Sequence, residues 1–416
     1  MRKLRKALVF AYACDPVHGS EPAAGWGIVR ALSAIVNCVV LVGPEHEPAL
    51  NRWRSEHPED DTTFVVVQEP GWARWVPRTR VGRFLIYLGW LPRAAAIARS
   101  LDLAQFDLAW HATYSAYWLP TPATALGIPC VWGPVGGGVM APRSLWPLLG
   151  LNGALCELTD WIAVLLMARL RSTRRTWRRV AVALVQNEAT LARLPAGLRD
   201  RSVVLNHASL VEAAAAAERT AAGPIVFGGR LESRKAPSLV IRALARTPRQ
   251  VRLMILGDGP QRRQLENLAV RLGVDDRVVF AGNVPRDVMM NAWRTAAAAV
   301  FAGVREEGGV ALAEAMLLGT PAIVLAHGGA RTVAALASDR SRVALIEPTD
   351  ASTVIEEFAG AMTRFVAMSS PSATPLFERQ RATARLEGIV ARAVREQPAS
   401  GADPCGHPAE VLPVGR

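Results

Sequence analysis

Two acidic residues eight apart, Glu306 and Glu314, bracket a glycine pair in REEGGVALAEAMLLGTP. Gly308 and Gly309 open the helix that carries Glu314, so backbone amides and the helix dipole would meet an anion with no side chain in the way. Ionised carboxylates offer only acceptors, which suits sugar and ribose hydroxyls. Taken alone, glutamates near a helix start are also ordinary caps. Upstream, GGRLESRKAP follows a β-branched run and precedes an amphipathic stretch holding Leu239, Ile241, Leu244 and Ala245. Arg230 and Lys235 therefore fall at a strand-to-helix turn, where a diphosphate would meet two cations and free N–H groups. Of 48 basic residues only Lys3, Lys6 and Lys235 are lysine, so the chain uses arginine almost everywhere and keeps a compact ammonium here. The alternative is a solvated basic turn. In the first half, His111 follows Leu108, Ala109 and Trp110 and would emerge at a strand's carboxyl end, able to donate to a sugar hydroxyl or a departing phosphate. A structural histidine is the competing reading. Gly19 and Ser20, in DPVHGSEPAAGWG after the first apolar run, would face a ligand across a cleft. Gly136, Gly137 and Gly138 would let backbone pass close to donor or acceptor.

These residues need a scaffold that brings strand ends together. From residue 7, short β-branched runs alternate with longer amphipathic segments: ALVFAYA, CVVLVG and TTFVVVQ, then GPIVFGGR, VRLMILGDG, RVVFAG, AAVFAG and PAIVLAHGG. That rhythm predicts βαβ units, parallel sheets and an α/β fold wound twice in each half. The expected division is a first Rossmann-like domain over 1–205, a linker over 206–223 and a second domain over 224–397. The last helix is expected to return to the first domain, and the Pro-, Gly- and Ala-rich tail over 398–416 to be disordered.

The 416 residues favour two domains over one. A net charge of +12 predicts anionic partners, which include phosphorylated substrates, lipid headgroups and nucleic acid. Five scattered cysteines, without a C-x-x-C pair, fit a reducing compartment. The N-terminal MRKLRKALVFAYAC reads as a buried first strand, with a short lipobox-like signal as the alternative. The apolar run around Trp161 to Met167 is too short to span a bilayer. Two basic-aromatic stretches suit a membrane surface: WARWVPRTRVGRFLIYLGWLPR, and Arg171, Arg174, Arg175 and Arg178 at helical spacing. Solvated faces with ordinary core aromatics are the alternative.

The order of GRLESRKAPSLVIRAL, LMILGDGPQRRQLENLAVRLGVDDRVVFAGNV and EEGGVALAEAMLLGTPAIVLAHGG resembles glycosyltransferase family 4. GSE-x-x-x-GW, FDLAWHATYSAYWLP and the GPVGGG loop are similar to a branch of that family that builds bacterial surface polysaccharides, so the resemblance covers most of residues 8 to 330. It implies the GT-B fold, two Rossmann-like domains facing a cleft, and metal-independent transfer from a nucleotide-diphosphate sugar with anomeric configuration retained. The acceptor would be a saccharide or a polyprenyl-linked saccharide. The location would be cytoplasmic, at the inner face of the membrane, with no cofactor. Arg230 and Lys235 would bind the donor diphosphate, Glu306 the donor sugar and Glu314 the ribose. Gly308, Gly309 and Val310 would line the donor site, while Gly257, Gly259 and Val284 would line the base pocket. His111, Arg230, Lys235 and Glu306 would be the catalytic set. The chain departs from the family's pattern at Ala236 where glycine is usual, at Ala302-Gly303, at Ala330-Arg331, and at Asn206-His207-Ala208.

Rival readings are a catalytically silent protein of the same fold and a Rossmann oxidoreductase or epimerase. The oxidoreductase is disfavoured because no full G-x-G-x-x-G opens the first unit. Basic residues spread over both halves, without a binding module, argue against nucleic acid.

Overall fold

Apolar runs whose side chains are buried in succession need cover on both faces, as in a parallel sheet flanked by helices. The computed structural model describes residues 6–19, 21–211, 223–368, 374–377 and 380–395. Ser20, residues 212–222 of the expected linker and the whole expected tail lie outside the described residues.

The first sheet comprises β1 (Lys6–Phe10), β2 (Asn37–Val42), β3 (Thr63–Val66), β4 (Leu108–His111), β5 (Cys130–Val135), β6 (Val182–Val185) and β7 (Ser202–Val204), ordered β3-β2-β1-β4-β5-β6-β7. Every described pairing in it is parallel, with Phe10 beside His111 where β1 meets β4. Its helices are α1 (Glu21–Ser33), α2 (Glu47–Glu56), α3 (Arg80–Ser100), α4 (Trp146–Ala168), α5 (Arg171–Arg179), α6 (Glu188–Arg193) and α7 (Ala196–Arg199). The N-terminal run is thus a central strand, and Cys14, just after it, is fully buried.

The second sheet comprises β8 (Ile225–Gly228), β9 (Leu253–Leu256), β10 (Val278–Gly282), β11 (Ala298–Phe301), β12 (Ala322–Leu325) and β13 (Val343–Ile346), ordered β10-β9-β8-β11-β12-β13 and also parallel. Its helices are α8 (Pro237–Leu244), α9 (Arg262–Arg271), α10 (Arg286–Thr295), α11 (Val310–Leu317), α12 (Gly328–Ala334) and α13 (Ala351–Met368), and α14 (Gln380–Arg395) follows them in the chain. In each sheet the strand order reverses beside the first strand of that half, and a doubly wound sheet binds ligands outside the strand ends at that point.

Two helices cross between the lobes. On α14, Leu386, Ile389, Val390 and Ala393 follow i, i+3, i+4, i+7 spacing and join the core of the first lobe. The segment entering α4 goes the other way: Ala141, Leu145 and Leu149 belong to the core of the second lobe, whereas Val164 sits in that of the first. A kink at Gly150, where φ is 68°, allows that change of direction. The apolar run read as short is part of this helix. Arg143–Ala168 spans 26 residues, long and apolar enough by length and composition to cross a membrane. Gly150, Glu157 and Asp160 interrupt its hydropathy, which shortens the run seen from sequence.

Candidate active site

The turn after β8 and the loop after β11 stand side by side because β8 and β11 are neighbours, and together they wall a cleft of about 450 Å³. Arg230, Arg234 and Lys235 come from the first of these segments and Glu306, Gly308, Gly309, Val310 and Glu314 from the second. Glu21, Gln186 and His207 line it from the first lobe.

Lys235 forms an ion pair with Glu306. Burial works to raise the Glu306 carboxyl, but the Lys235 ammonium, then Arg234 and the Gly309 N–H at 3.3 Å from Oε1, hold it below its ordinary value. Arg234 reaches Glu232 at 2.5 Å, and Arg230, 70% exposed, lies 3.6 Å from the same carboxylate. Ala236 takes φ 46° and ψ 47°, so the departure from glycine leaves a left-handed residue with a methyl group behind Lys235. Glu314 is held by Arg286 at 2.6 Å, yet burial is the larger influence and raises its carboxyl. The sequence reading missed Arg286; nothing in its motif set it apart.

Several expected residues stand elsewhere. Gly19 does not line the cleft, but Glu21, the third residue of the same GSE triplet, does, and it accepts the Tyr114 N–H at 2.8 Å. Gly257 and Gly259 pack against the backbone of Gly229 and Leu231, behind the Arg230 turn, and Val284 packs against the cluster containing Trp293. None of these three lines the cleft. His111 is at the end of β4 as expected but is 2% exposed, with Nε2 2.8 Å from the Tyr87 hydroxyl. It packs in the core of the first lobe and, unlike the expected catalytic group, does not line the cleft.

The histidine that faces the cleft is His207, within the Asn-His-Ala departure. A Cβ on Gly308 would lie 2.3 Å from its Nε2, so the imidazole uses the room that a missing side chain leaves. Burial lowers its pKa, opposed by Glu21 and Glu306. Gln186 Nε2 donates to the Pro134 carbonyl at 3.2 Å, while its buried Oε1 has no partner among the described residues and is available to a ligand hydroxyl.

The triple-glycine loop serves the neighbour of Glu306. Glu307 crosses from the second lobe and accepts the Val139 N–H at 3.0 Å on Oε1 and Asn187 Nδ2 at 3.2 Å on Oε2. A Cβ on Gly136 would lie 3.2 Å from that second oxygen. Sequence reasoning singled out Gly136, Gly137 and Gly138 but not their guest.

Burial pushes the His111 pKa down to about 4 from an ordinary value near 6.5. As pH falls through that window the unfolded chain takes up the proton first, so native stability drops between about pH 6.5 and 4 and levels off below. This group alone is expected to contribute roughly 3 kcal/mol of that loss. His111→Gln should flatten the slope, as read by urea unfolding at pH 7 and pH 4.5. An unchanged slope would show that His111 is not held neutral in the fold.

The architecture, two parallel Rossmann-like α/β lobes facing a cleft, is GT-B. Residues 215–367 match the family model described as glycosyl transferases group 1. The D-inositol 3-phosphate glycosyltransferase of Xylanimonas cellulosilytica is 38% identical over 113 residues, 26% of this chain and 27% of that protein. The 2-deoxystreptamine glucosyltransferase of Streptomyces kanamyceticus is 34% identical over 111 residues, 26% and 29% of the two chains. The chain thus spans little more than a quarter of the length of these curated relatives. The Anabaena HepE structure with UDP and glucose aligns over 94% of this chain and 97% of its own, at TM-score 0.53 and 17% identity. The lipopolysaccharide outer core galactosyltransferase WaaB aligns over 94% and 98%, at 0.52 and 14%. These two are likenesses of fold.

Proposed function

We propose that the chain transfers a sugar from a nucleotide-diphosphate donor to a saccharide acceptor, retaining anomeric configuration, as a member of family 4 in surface-glycan assembly. The observation that carries this reading is the convergence of Arg230, Lys235, Glu306 and Glu314 on one cleft at the β8–β11 switch point. The group 1 match over residues 215–367 and the glycosyltransferase relatives support it. Arg230 and Lys235 neutralise the leaving diphosphate, a charge that grows in the transition state, without a metal or cofactor. Glu306, kept ionised, accepts from donor-sugar hydroxyls, and Glu314 with Arg286 fixes the ribose. Gln186, His207 and Glu21 face the reacting centre from the acceptor side. The acceptor is a lipid-linked saccharide at the inner face of the membrane, in keeping with the charge of +12.

Thermal-shift titration with UDP-, GDP-, ADP- and TDP-sugars tests the donor. One nucleotide class is expected to stabilise the protein, by about 2.7 kcal/mol at 100-fold saturation. NMR of the product should show the donor's anomeric configuration. Binding without transfer to any acceptor would favour a silent nucleotide-sugar protein, and an inverted product would refute retention.

A further inference from the structure

The helix α4 is apolar on the face that nothing among the described residues covers. Leu151, Leu155, Leu158, Ile162, Leu165 and Leu166 follow one stripe at near-helical spacing, with Leu151 92% exposed and Leu155 and Leu166 each 61% exposed. The opposite face is committed to the protein: Gly153, Glu157 and Val164 are buried, and Glu157 with Asp160 holds Arg305 at 3.2 and 2.6 Å. Directly after it, α5 turns Thr173 and Thr176 inward and leaves Arg171, Arg174, Arg175 and Arg178 exposed. A third patch adjoins. Trp75, 77% exposed, and Val81 and Leu85 at the start of α3 are uncovered among Arg74, Arg78 and Arg83. Phe84 of α3 lies 5.9 Å from the Trp118 ring, and Thr173 of α5 donates to the Trp118 carbonyl, so both basic-apolar stretches meet on one flank around Trp118.

We propose that this flank seats the protein on an anionic lipid bilayer, with the α4 stripe in the acyl boundary and the surrounding arginines on the headgroups. The charge pattern selects the occupant. An apolar stripe flanked by uncovered arginines matches the headgroup region of an anionic membrane, whereas a second copy would bring the same positive ring against itself. The helix lies on the bilayer and does not cross it, because its start is held in the core of the second lobe, Val164 in that of the first, and Glu157 and Asp160 are paired to the protein. Arg305, gripped by α4, is the residue before Glu306 and donates its backbone N–H to the Arg234 carbonyl at 3.3 Å. The seat and the donor turn are therefore one packed unit. This deepens the proposed transfer, since a lipid-linked acceptor would arrive at that surface, but the test reads the surface without turnover.

Flotation of the full chain with vesicles of phosphatidylglycerol and phosphatidylcholine, against phosphatidylcholine alone, separates the outcomes. The native protein is expected to float with the anionic vesicles and to release them as salt rises. Replacing Leu155, Ile162 and Leu166 together by Glu should weaken binding about tenfold or more, and Ala at Arg171, Arg174, Arg175 and Arg178 should abolish the preference for anionic lipid. Both variants carry changes only on exposed positions, so an unchanged melting temperature marks them as folded. No flotation with anionic vesicles, or undiminished flotation of the triple Glu variant, would overturn the proposal. So would a dimer in solution that the triple Glu substitution dissolves while flotation is absent. Flotation that follows these predictions in a protein that no nucleotide sugar stabilises would keep the seat and discard the proposed reaction.

Discussion

Lys235→Ala is expected to lower sugar transfer by about 10²- to 10³-fold, the loss that follows removal of one preorganised group from a developing oxyanion. The ammonium does two things at this position. In the proposed reaction it offers positive charge to the leaving diphosphate, and it keeps the part-buried Glu306 ionised against a desolvation that would otherwise raise its carboxyl. Removing it therefore takes a cation from the cleft and leaves Glu306 to titrate at a higher pH. The acid limb of the pH–rate profile should move upward in the variant. Glu306→Gln should also cost at least about 10²-fold, because an amide cannot accept on both oxygens and leaves Lys235 without its partner. Since the two side chains are paired, the double variant should lose less than the sum of the singles, with a coupling of about 1–3 kcal/mol. Lys235→Arg is not expected to rescue, since a planar fork replaces a compact charge on a side chain only a quarter exposed. Single-turnover rates with the donor identified by thermal shift check all four variants. A loss below tenfold in Lys235→Ala would remove Lys235 from the diphosphate site.

The alternation of β-branched runs with amphipathic ones made both sheets legible, because burial on both faces leaves a continuous apolar signature in each strand. The Arg230, Lys235, Glu306 and Glu314 cluster was legible for a related reason. Each residue follows a strand, and neighbouring strands of a doubly wound sheet end at the same place. Depth was not legible. His111 was placed at the correct strand end, but whether its imidazole faces the cleft depends on Tyr87, 24 residues away on α3, whose hydroxyl takes Nε2. His207 was visible only as a departure from a family pattern, and its role rests on the absence of a side chain at Gly308. Contacts between lobes were the least accessible, since Glu307 meets partners 120 and 168 residues away. The reach of α4 was hidden by polar residues that face inward, which break the hydropathy while leaving the outer stripe unbroken.

Glu307→Ala should be the most damaging single change to the arrangement of the lobes, at a cost of about 1–3 kcal/mol. The carboxylate is part-buried at the wall of the cleft and receives one donor from the Val139 backbone and another from the Asn187 amide. Truncation takes the acceptor from the buried Val139 N–H, whereas Asn187 Nδ2 keeps the Glu307 backbone carbonyl at 3.1 Å, and an unmet buried donor costs about 1–3 kcal/mol. The change is also expected to be poorly rescued by Glu307→Gln. An amide presents oxygen at one end and N–H at the other, so whichever way it turns, one of the two donors faces another donor. Asp would keep both acceptors but fall short of the first lobe by a methylene. The effect should be local to the crossing. Hydrogen exchange at Val139 is expected to rise in the Ala variant, while the strand amides of both sheets remain protected, because each sheet is closed by its own core. Hydrogen-exchange mass spectrometry over residues 130–145 and 182–195, beside solution scattering to follow lobe separation, makes the measurement. Unchanged protection at Val139 would mean that other contacts, the α4 and α14 crossings among them, hold the lobes, and that the Glu307 carboxylate fills its niche without closing the cleft.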